Sequence, residues 1–457
     1  MKTKPNTILP LMRKLSTYIS TALKKPLPPG VAERAKIHLL DTLSAIISGS
    51  RLPPGTSAIE YVKGQGGKPE ATVFGTRIVT TAQNAALANG MFGHADETDD
   101  THPPSRTHPG TGIVPAVFSI GERNGLPGIR VLRALVLGYD ICARMLLSFD
   151  EQVFRKSGHC ASSFGQVFGA AAAVGALLRL DERKIRYALA YAGEQASGLS
   201  LMLRDSEHME KAFGMGGMGA HNGVAAALMA SCGFSAVEDI FSGEYDFFQT
   251  FAPTANRNLL VQRLGINYEI LRCGIKRWPA GGPIQGPLHV LNDLLKKYEL
   301  RASDIEKMTA HMPDTEFQIV NNRQMPNICV QHMLALLTVD GEVTFHSAHD
   351  HERMHDPALL AFRKRMQIVP DPSLRDKLRR WRCVMHIEMS GGRKVSHKTM
   401  GAKGSFVNPL TRTEEEEKCL DLIVPVLGTG RAKKLIKAVW DFDRIPNVRC
   451  MRPLLQA

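Results

Sequence analysis

The sequence has few of the features that mark nucleic-acid-binding proteins. Aromatic residues make up only 6% of the 457 residues, which argues against a surface that stacks bases. The formal net charge is +13, yet the lysines and arginines are scattered and form neither a long basic block nor a zinc-finger pattern. Scattered basic residues do not indicate a nucleic-acid interface. An anionic small molecule is therefore the partner that fits this charge best.

Long apolar runs and closely spaced cysteines are also missing. The best candidate for a membrane span, residues 131–147, is broken by Arg133, Asp140 and Arg144, whereas a span needs about 20 mostly apolar residues. None of the eight cysteines belongs to a CxxC motif. We therefore expect reduced, mostly buried thiols in a cytoplasmic protein that does not associate with membranes.

The N-terminal region has no acidic residue before Glu33. That composition is typical of a transit peptide. Residues 8–23 also follow the pattern of an amphipathic helix that ends at Lys24-Lys25-Pro26. We favour the helix, which would be part of the folded protein.

The most informative stretch is residues 93–110, GHADETDDTHPPSRTHPG. It contains four carboxylates and three histidines within eighteen residues, and three prolines that oppose a helix. Apolar, helix-like regions precede and follow it. Irregular segments held between rigid elements often carry catalytic residues, so we expect the functional site here.

The apolar periodicity up to about residue 267 predicts helices and no convincing strand. The predicted helices cover residues 31–48, 80–91, 112–123, 128–147, 164–180, 181–198 and 209–231, and residues 51–69 are predicted as loop with one short helix. The glycine-rich start of the last helix, residues 214–223, follows no strand and lacks the phosphate-binding lysine pattern. We interpret it as a site of close helix packing.

The pattern changes near residue 271. Residues 307–312 alternate as a strand does, and residues 383–389 and 393–398 flank a Gly391-Gly392 turn, which predicts a β-hairpin. Helices are predicted at 330–337, 356–365 and 371–379. Thr411 and the acidic run 414–417 predict the capped start of a further helix.

Six segments of the chain resemble the MmgE/PrpD family, which includes 2-methylcitrate dehydratase and cis-aconitate decarboxylase. They are AKIHLLDTLSAIISG, ALANGMFGHADETDDTHPPSRTHPGTGIVPAV, GHCASSFGQVFGAAAAVGALLRL, EKAFGMGGMGAHNGVAAALMASCGF, IKRWPAGG and VNPLTRTEEEEKCLDL. The resemblance implies a mainly α fold. A large all-helical domain, built from residues 1–269 and 407–457, would receive a smaller α+β lid domain at residues 270–406. It also implies a homodimer that needs no cofactor and no metal and that binds a small carboxylate.

The family's site residues match this chain motif by motif. The resemblance implies catalytic roles for Asp99, Asp100, His108, His159 and Lys211, and substrate-binding roles for Glu97, Thr101, Arg106, Lys276, Gln285 and His332. Three of these positions depart from the usual pattern. Glu97 replaces an aspartate, His332 stands where many members have tyrosine, and Gln285 where many have histidine, which makes the substrate harder to predict than the fold.

The chemistry of these residue types suits elimination beside a carboxylate. Histidines exchange protons near neutral pH, lysines hold carboxylates through charge-assisted contacts, and paired aspartates orient a histidine or act as a base. The sequence predicts a lyase, first of all a dehydratase of the 2-methylcitrate dehydratase type. A decarboxylase and an epimerase would use the same residues. A metal-dependent hydrolase is an alternative from another class, because His94, Asp96 and the acids that follow are of residue types that bind metals. A non-catalytic carboxylate-binding relative is a further alternative.

Overall fold

The computed structural model describes residues 8–457, which form two compact units. The first contains residues up to 95, residues 99–273 and residues 422–457, and the second contains residues 96–98 and 274–421. The fold is mainly α with a small α+β part, as the sequence predicts. The predicted domain boundaries follow changes in sequence pattern, at 269/270 and 406/407, whereas the units divide at 273/274 and, inside a helix, at 421/422.

The first unit is helical apart from one short pair of strands. Its helices are α1 (Pro10–Thr21), α2 (Pro29–Gly49), α3 (Pro53–Gln65), α4 (Ala82–Gly93), α5 (Pro109–Asn124), α6 (Gly128–Leu147), α7 (Glu151–Lys156), α8 (Ala161–Leu177), α9 (Glu182–Glu194), α10 (Met209–Ala212), α11 (Met218–Ser231) and α12 (Phe247–Phe251). The strands β1 (Ala71–Thr72) and β2 (Val79–Thr80) pair antiparallel.

Helix α8 lies in the middle of this unit, since every residue from Ser162 to Leu177 is buried. Its small residues allow neighbouring backbones to approach closely. A Cβ atom added to Gly169 would lie 2.5 Å from the carbonyl oxygen of Gly138 in α6. The helices that follow the acidic stretch thus pack so closely that their backbones are in contact.

The acidic stretch is irregular from His94 to His108, as predicted. Thr81 caps the start of α4, where its side chain accepts a hydrogen bond from the backbone N–H of Asn84. Pro109 does not interrupt a helix but begins α5, because proline is favoured in the first helical turn, where no N–H is needed. The acidic groups are therefore held between the end of one helix and the start of the next.

Residues 209–231 are predicted as a single helix, but a π-helical turn, Phe213–Gly217, separates α10 from α11. The prediction of close packing is confirmed. A Cβ atom on Gly216 would lie 2.1 Å from the carbonyl oxygen of Gly90 in α4.

The second unit combines a four-stranded sheet with helices. Its elements are α13 (Gln285–Tyr298), β3 (Ile305–Pro313), α14 (Asp314–Val320), α15 (Val330–Asp340), α16 (Phe345–His349), α17 (Pro357–Arg363), β4 (Met366–Asp371), β5 (Cys383–Met389), β6 (Lys394–Thr399) and the start of α18 (Arg412–Leu427). The strand order is β4-β3-β5-β6, with β3 and β4 parallel and the other pairs antiparallel. Apolar side chains from the sheet, α13 and α15 form its core. The end of α18, α19 (Thr429–Trp440) and α20 (Arg452–Leu455) belong to the first unit.

Two further secondary-structure predictions are wrong, and a third underestimates the length of a helix. Residues 371–379 are not a helix, because β4 ends at Asp371 and only a 3-10 turn, Pro372–Leu374, follows. Residues 53–65 form a full helix, α3, within the predicted loop, and the β1–β2 pair lies in the part predicted to lack strands. The helix near the N-terminus and the β-hairpin are confirmed as α1 and as β5–β6. Residues 1–7, which contribute to the transit-peptide alternative, lie outside the described residues.

From residue 8 onward, no helix combines the length and apolar character that crossing a membrane would require.

Candidate active site

In the first unit, one carboxylate contacts two histidines. Asp99 Oδ2 lies 2.6 Å from Nδ1 of His108, and Asp99 Oδ1 lies 3.2 Å from Nδ1 of His94. Asp99 and His94 are fully buried, whereas 16% of the His108 side chain is exposed. Because a carboxylate only accepts hydrogen bonds, it holds the imidazole of His108 with the proton on Nδ1. Nδ1 of His94 lies near the carboxylate but forms no hydrogen bond within residues 8–457. The Nε2 atom of His108 is then free to accept a proton.

Side chains of helix α8 form hydrogen bonds with the backbone of His108. The His108 N–H donates to Oγ of Ser162 at 3.0 Å, and Nε2 of Gln166 donates to the His108 carbonyl oxygen at 2.6 Å. Both partners belong to the most buried helix of the unit. The predicted catalytic pair Asp99 and His108 is therefore assembled on a rigid support.

Two groups from the α10 region complete this cluster. His208, with a left-handed φ of 62°, precedes α10, and its ring centroid lies 5.3 Å from that of His94. Burial lowers the pKa of His94, Asp99 opposes that shift, and the charges of His108 and Lys211 add to it. The charge of the predicted Lys211 thus acts on His94.

Asp100, the second predicted catalytic carboxylate, has a different environment. It is completely buried and accepts hydrogen bonds from the Tyr139 hydroxyl at 2.8 Å and the Gly110 N–H at 3.0 Å. Its Oδ2 also lies 2.7 Å from Nδ1 of His38. These contacts connect the acidic stretch to α2, α5 and α6. In this structure, Asp100 therefore stabilises the positions of the elements around the site.

Three further predicted residues, His159, Arg106 and Thr101, contact other groups. The ring of His159 stacks on Phe154, with centroids 5.0 Å apart, and meets the edges of Phe164 and Phe251. Arg106 forms an ion pair with Glu151, and Thr101 donates to the carbonyl oxygen of Thr107 at 3.3 Å. Their functional roles stay predictions.

The second unit contains the remaining predicted residues. Nζ of Lys276 lies 3.2 Å from Oε2 of Glu97, and the two side chains are 1% and 7% exposed. The longer side chain that replaces the usual aspartate thus ends beside the buried lysine. The pair neutralises both charges, and in this conformation Lys276 is not exposed to solvent.

Gln285 is fully buried and both ends of its amide bind the backbone of the preceding loop. Its oxygen accepts from the N–H groups of Arg277 and Trp278, and its nitrogen donates to the carbonyl oxygens of Trp278 and Ala280. Gln285 therefore shapes the loop that carries Lys276. Its predicted contact with substrate stays a prediction.

His332 lies at the third position of α15 and is fully buried. Neither ring nitrogen has a hydrogen-bond partner among residues 8–457. Burial lowers its pKa to about 4, and the charges of Arg363 and Arg353 contribute to the shift. The ring is therefore neutral at physiological pH, and its role in substrate binding stays a prediction.

His349, which the sequence analysis does not single out, binds Asp96. Nε2 of His349 lies 3.1 Å from Oδ2 of Asp96, and its Nδ1 lies 2.6 Å from the carbonyl oxygen of Phe345. Burial lowers the pKa of His349, but the Asp96 carboxylate outweighs that effect and the net shift is upward. His349 thus anchors the residues next to Glu97 within the second unit.

The ligating atoms of two groups in the first unit lie close enough for a metal ion: His94, Asp99 and His108, and His38, Asp100 and Cys273. The first group fits a metal poorly, because a 2.6 Å contact between Asp99 and His108 is a hydrogen-bond distance and the Lys211 charge opposes a cation. In the second group, burial raises the pKa of the Cys273 thiol well above its usual range, whereas zinc binds the thiolate.

Sequence reasoning missed His38, His94, His208 and Tyr139 as contacts of the acidic stretch in the first unit, and His349 as the partner of Asp96 in the second unit. His94 lies in the acidic stretch, and its neighbours made it a candidate metal ligand only. The others are isolated in sequence, and a lone histidine or tyrosine gives no signal of its spatial neighbours.

Comparisons with known proteins identify the family of this chain. Residues 13–259 match the MmgE/PrpD N-terminal domain, and residues 278–443 match the MmgE/PrpD C-terminal domain. Cis-aconitate decarboxylase from Aspergillus terreus is 26% identical over 301 residues, which cover 62% of this chain and 59% of that protein. The cis-aconitate decarboxylase-like protein oryM from Aspergillus oryzae is 25% identical over 324 residues, 66% of each chain. The match to the first of these relatives spans about three-fifths of its length. The two domain matches together show that this chain belongs to the MmgE/PrpD family.

Proposed function

We propose that this protein is a lyase for a small di- or tricarboxylate, in which His108 transfers a proton at a carbon atom beside a carboxylate. The observation that carries the proposal is the 2.6 Å contact between Asp99 and Nδ1 of His108. It orients the ring and leaves Nε2 as the basic atom, which is the arrangement of a general acid–base histidine.

The positive charge needed by such a reaction is available in the same unit. Removal of a proton beside a carboxylate develops an enolate-like charge, which a nearby cation stabilises. Lys211 is the cation within electrostatic range of the histidine cluster. We propose that it holds a substrate carboxylate, while Lys276, His332 and Gln285 keep their predicted roles in substrate binding.

Dehydration and decarboxylation would use His108 in opposite directions. In dehydration, Nε2 takes the α-proton and an acid protonates the departing hydroxyl. In decarboxylation, the bond to the leaving CO₂ breaks, its electron pair stays on the substrate, and protonated His108 supplies a proton to the resulting carbanion. The dehydratase reaction is the one predicted from sequence, and the relatives named cis-aconitate decarboxylase support decarboxylation as the second candidate. Epimerisation would start with the same proton removal as dehydration. The homodimer and the cytoplasmic location likewise remain predictions.

Proton NMR in D₂O tests the proposal directly. The purified protein is incubated with citrate, 2-methylcitrate, cis-aconitate, malate and tartrate. We expect loss of water, loss of CO₂ or deuterium exchange at an α-carbon with at least one acid. The His108→Gln variant should lose that reaction, whereas His386→Gln, at an exposed histidine of β5, should keep it. No reaction or exchange with any acid would overturn the proposal and favour a carboxylate-binding relative.

Metal removal separates the lyase from the metal-dependent hydrolase. Because the Asp99–His108 contact leaves no room for an ion between its atoms, dialysis against EDTA should leave the rate in the NMR assay unchanged. A loss of activity that added divalent metal restores would support the hydrolase instead.

A further inference from the structure

A buried chain of hydrogen bonds runs along the turn that leads to His108. Nε2 of His102 lies 3.1 Å from Oε2 of Glu269, and its Nδ1 lies 2.7 Å from Oγ of Ser105. Oγ of Ser105 in turn lies 2.7 Å from Oγ1 of Thr107. The residues of this chain are buried and belong to the first unit. The ring of His102 therefore acts inside the protein and not on a substrate.

The direction of these hydrogen bonds follows from the carboxylate at one end. Burial raises the pKa of Glu269, but His102 and the Arg272 charge outweigh that effect and lower the pKa to about 2. Glu269 is therefore ionised and only accepts, so Nε2 of His102 is the donor. Burial lowers the pKa of His102 more than Glu269 raises it. The ring is thus neutral, and its Nδ1 is an acceptor.

The turn that this ring stabilises contains a residue in an unfavourable backbone conformation. Arg106 has a left-handed φ of 56°, which residues other than glycine rarely adopt. The His102 N–H donates to the Thr107 carbonyl oxygen at 2.8 Å and closes the turn through the backbone. The His102 ring supports it a second time, because Nδ1 accepts from the N–H of Ser105, at 3.3 Å, and from its hydroxyl. Without the ring, the N–H of a buried residue would lose its acceptor, which is costly.

The end of the turn shares a peptide plane with His108. The Thr107 carbonyl oxygen, on one side of that plane, accepts from the turn. The His108 N–H, on the other side, donates to Oγ of Ser162 in α8 at 3.0 Å. A shift of the turn therefore moves the backbone from which the imidazole of His108 extends. We propose that His102, oriented by Glu269, is a positioning residue that fixes this turn and thereby places His108 for proton transfer.

This inference rests on the proposed function, since it concerns the histidine that we propose as the proton-transfer group. Loss of the His102 ring should lower kcat by roughly 10–100-fold, as for other changes that misplace a functional side chain. KM should change little, because both ring nitrogens of His102 bind protein groups.

Three variants separate positioning from packing and from a loss of stability. The side-chain oxygen of His102→Asn lies near the position of Nδ1 and accepts from Ser105 without help from Glu269, whereas His102→Leu has no acceptor. We expect His102→Asn to retain most of kcat and His102→Leu to lose it. Thr72→Val removes a buried hydrogen bond to Glu122, 2.9 Å long, elsewhere in the first unit, and should lower stability but not kcat. Equal kcat values for the two folded His102 variants, or an equal loss in Thr72→Val, would overturn the proposal.

Nitrogen-15 NMR of histidine-labelled protein provides readouts that need no substrate. The signals of His102 and His108 are assigned by their loss in His102→Asn and His108→Gln. In the wild type, we expect the Nε2–H tautomer of His102 and the Nδ1–H tautomer of His108. In His102→Leu, the His108 signals should shift towards a mixture of tautomers, because its contact with Asp99 loosens. In His102→Asn, they should stay as in the wild type.

Two results of this NMR experiment would contradict the proposal. The Nδ1–H tautomer of His102 in the wild type would overturn it even if the leucine variant does not fold. Unchanged His108 signals in a folded His102→Leu variant would overturn it as well. Absence of turnover with every acid would instead count against the proposed function, and the His108 signals would still decide whether His102 positions that ring.

Discussion

At the scale of single residues, two polar side chains of the second unit have the same predicted function but different contacts. Lys276 and Gln285 are both predicted to bind substrate, yet Lys276 is paired with Glu97 and Gln285 binds the loop between them. The sequence identifies these positions through a family motif. It does not show which groups these side chains bind, because the partner of Lys276 lies 179 residues away in the sequence.

Replacement of Lys276 by methionine tests the buried pair. It leaves Glu97 as a buried carboxylate without its ammonium partner, and breaking such a pair costs about 3–5 kcal/mol. Denaturant unfolding followed by the fluorescence of Trp278 and Trp381 would measure the loss. Lys394→Ala removes one partner of an exposed pair with Glu388 and should change the free energy of unfolding by less than about 1 kcal/mol. Similar losses for both variants would contradict the argument.

At the scale of secondary-structure elements, strong periodicity and turn residues allow good predictions. Helix α6 has the predicted bounds, and the β5–β6 hairpin forms around its glycine turn. Strand β4 was missed because it lies at the edge of the sheet, pairs in parallel with β3, and contains Pro370. An edge strand tolerates proline. In the sequence, however, neither a proline nor a half-exposed residue pattern indicates a strand.

Tyr139 connects α6 to the acidic stretch through Asp100. The Tyr139→Phe variant removes one donor from a fully buried carboxylate, and we expect it to lower the free energy of unfolding by about 1–3 kcal/mol. The fluorescence of Trp440 reports on the unfolding of the first unit in a denaturant titration. Tyr191→Phe, which removes a hydrogen bond to the Ser235 carbonyl oxygen at a less buried position, should have the smaller effect. The reverse order would argue against a framework role for Asp100.

The contact between His349 and Asp96 makes stability depend on pH. The folded-state pKa of His349 is raised, so its contribution is fully present below the unfolded value of about 6.5 and is lost as the pH rises through the folded pKa. The difference in thermal midpoint between the wild type and His349→Phe should therefore shrink from pH 6 to pH 9. The exposed His386→Gln variant serves as the control. A difference that grows with pH would show that the pair is not ionic.

At the scale of the whole molecule, the sequence predicts a mainly α protein with a smaller α+β part, and this is confirmed. The prediction succeeds because helical periodicity and small-residue helices extend over most of the chain. The candidate site is only partly predictable. Its motif residues are found in the sequence. In contrast, His38, His94 and His208 join the cluster of the first unit from separate elements, and His349 reaches Asp96 within the second unit.

The cysteines give a test of the whole structure. Cys232 and Cys450 are exposed and the other six are buried. Titration of the native protein with a thiol reagent should therefore show two fast thiols, and all eight should react after unfolding. The double variant Cys232→Ser/Cys450→Ser should have no fast thiol. Additional fast thiols in the native protein would contradict the burial of the remaining cysteines.

The crossing of α4 with the π-helical turn has a consequence for how this protein tolerates mutation. A Cβ atom on Gly90 would lie 2.9 Å from the backbone of Gly216, and one on Gly216 would lie 3.5 Å from Cβ of His94. Any larger residue at either glycine pushes α4, which ends just before His94, away from the π-helical turn. The sites least open to variation therefore include residues with no functional group at all, and new substrate preferences have to arise from side chains outside this crossing.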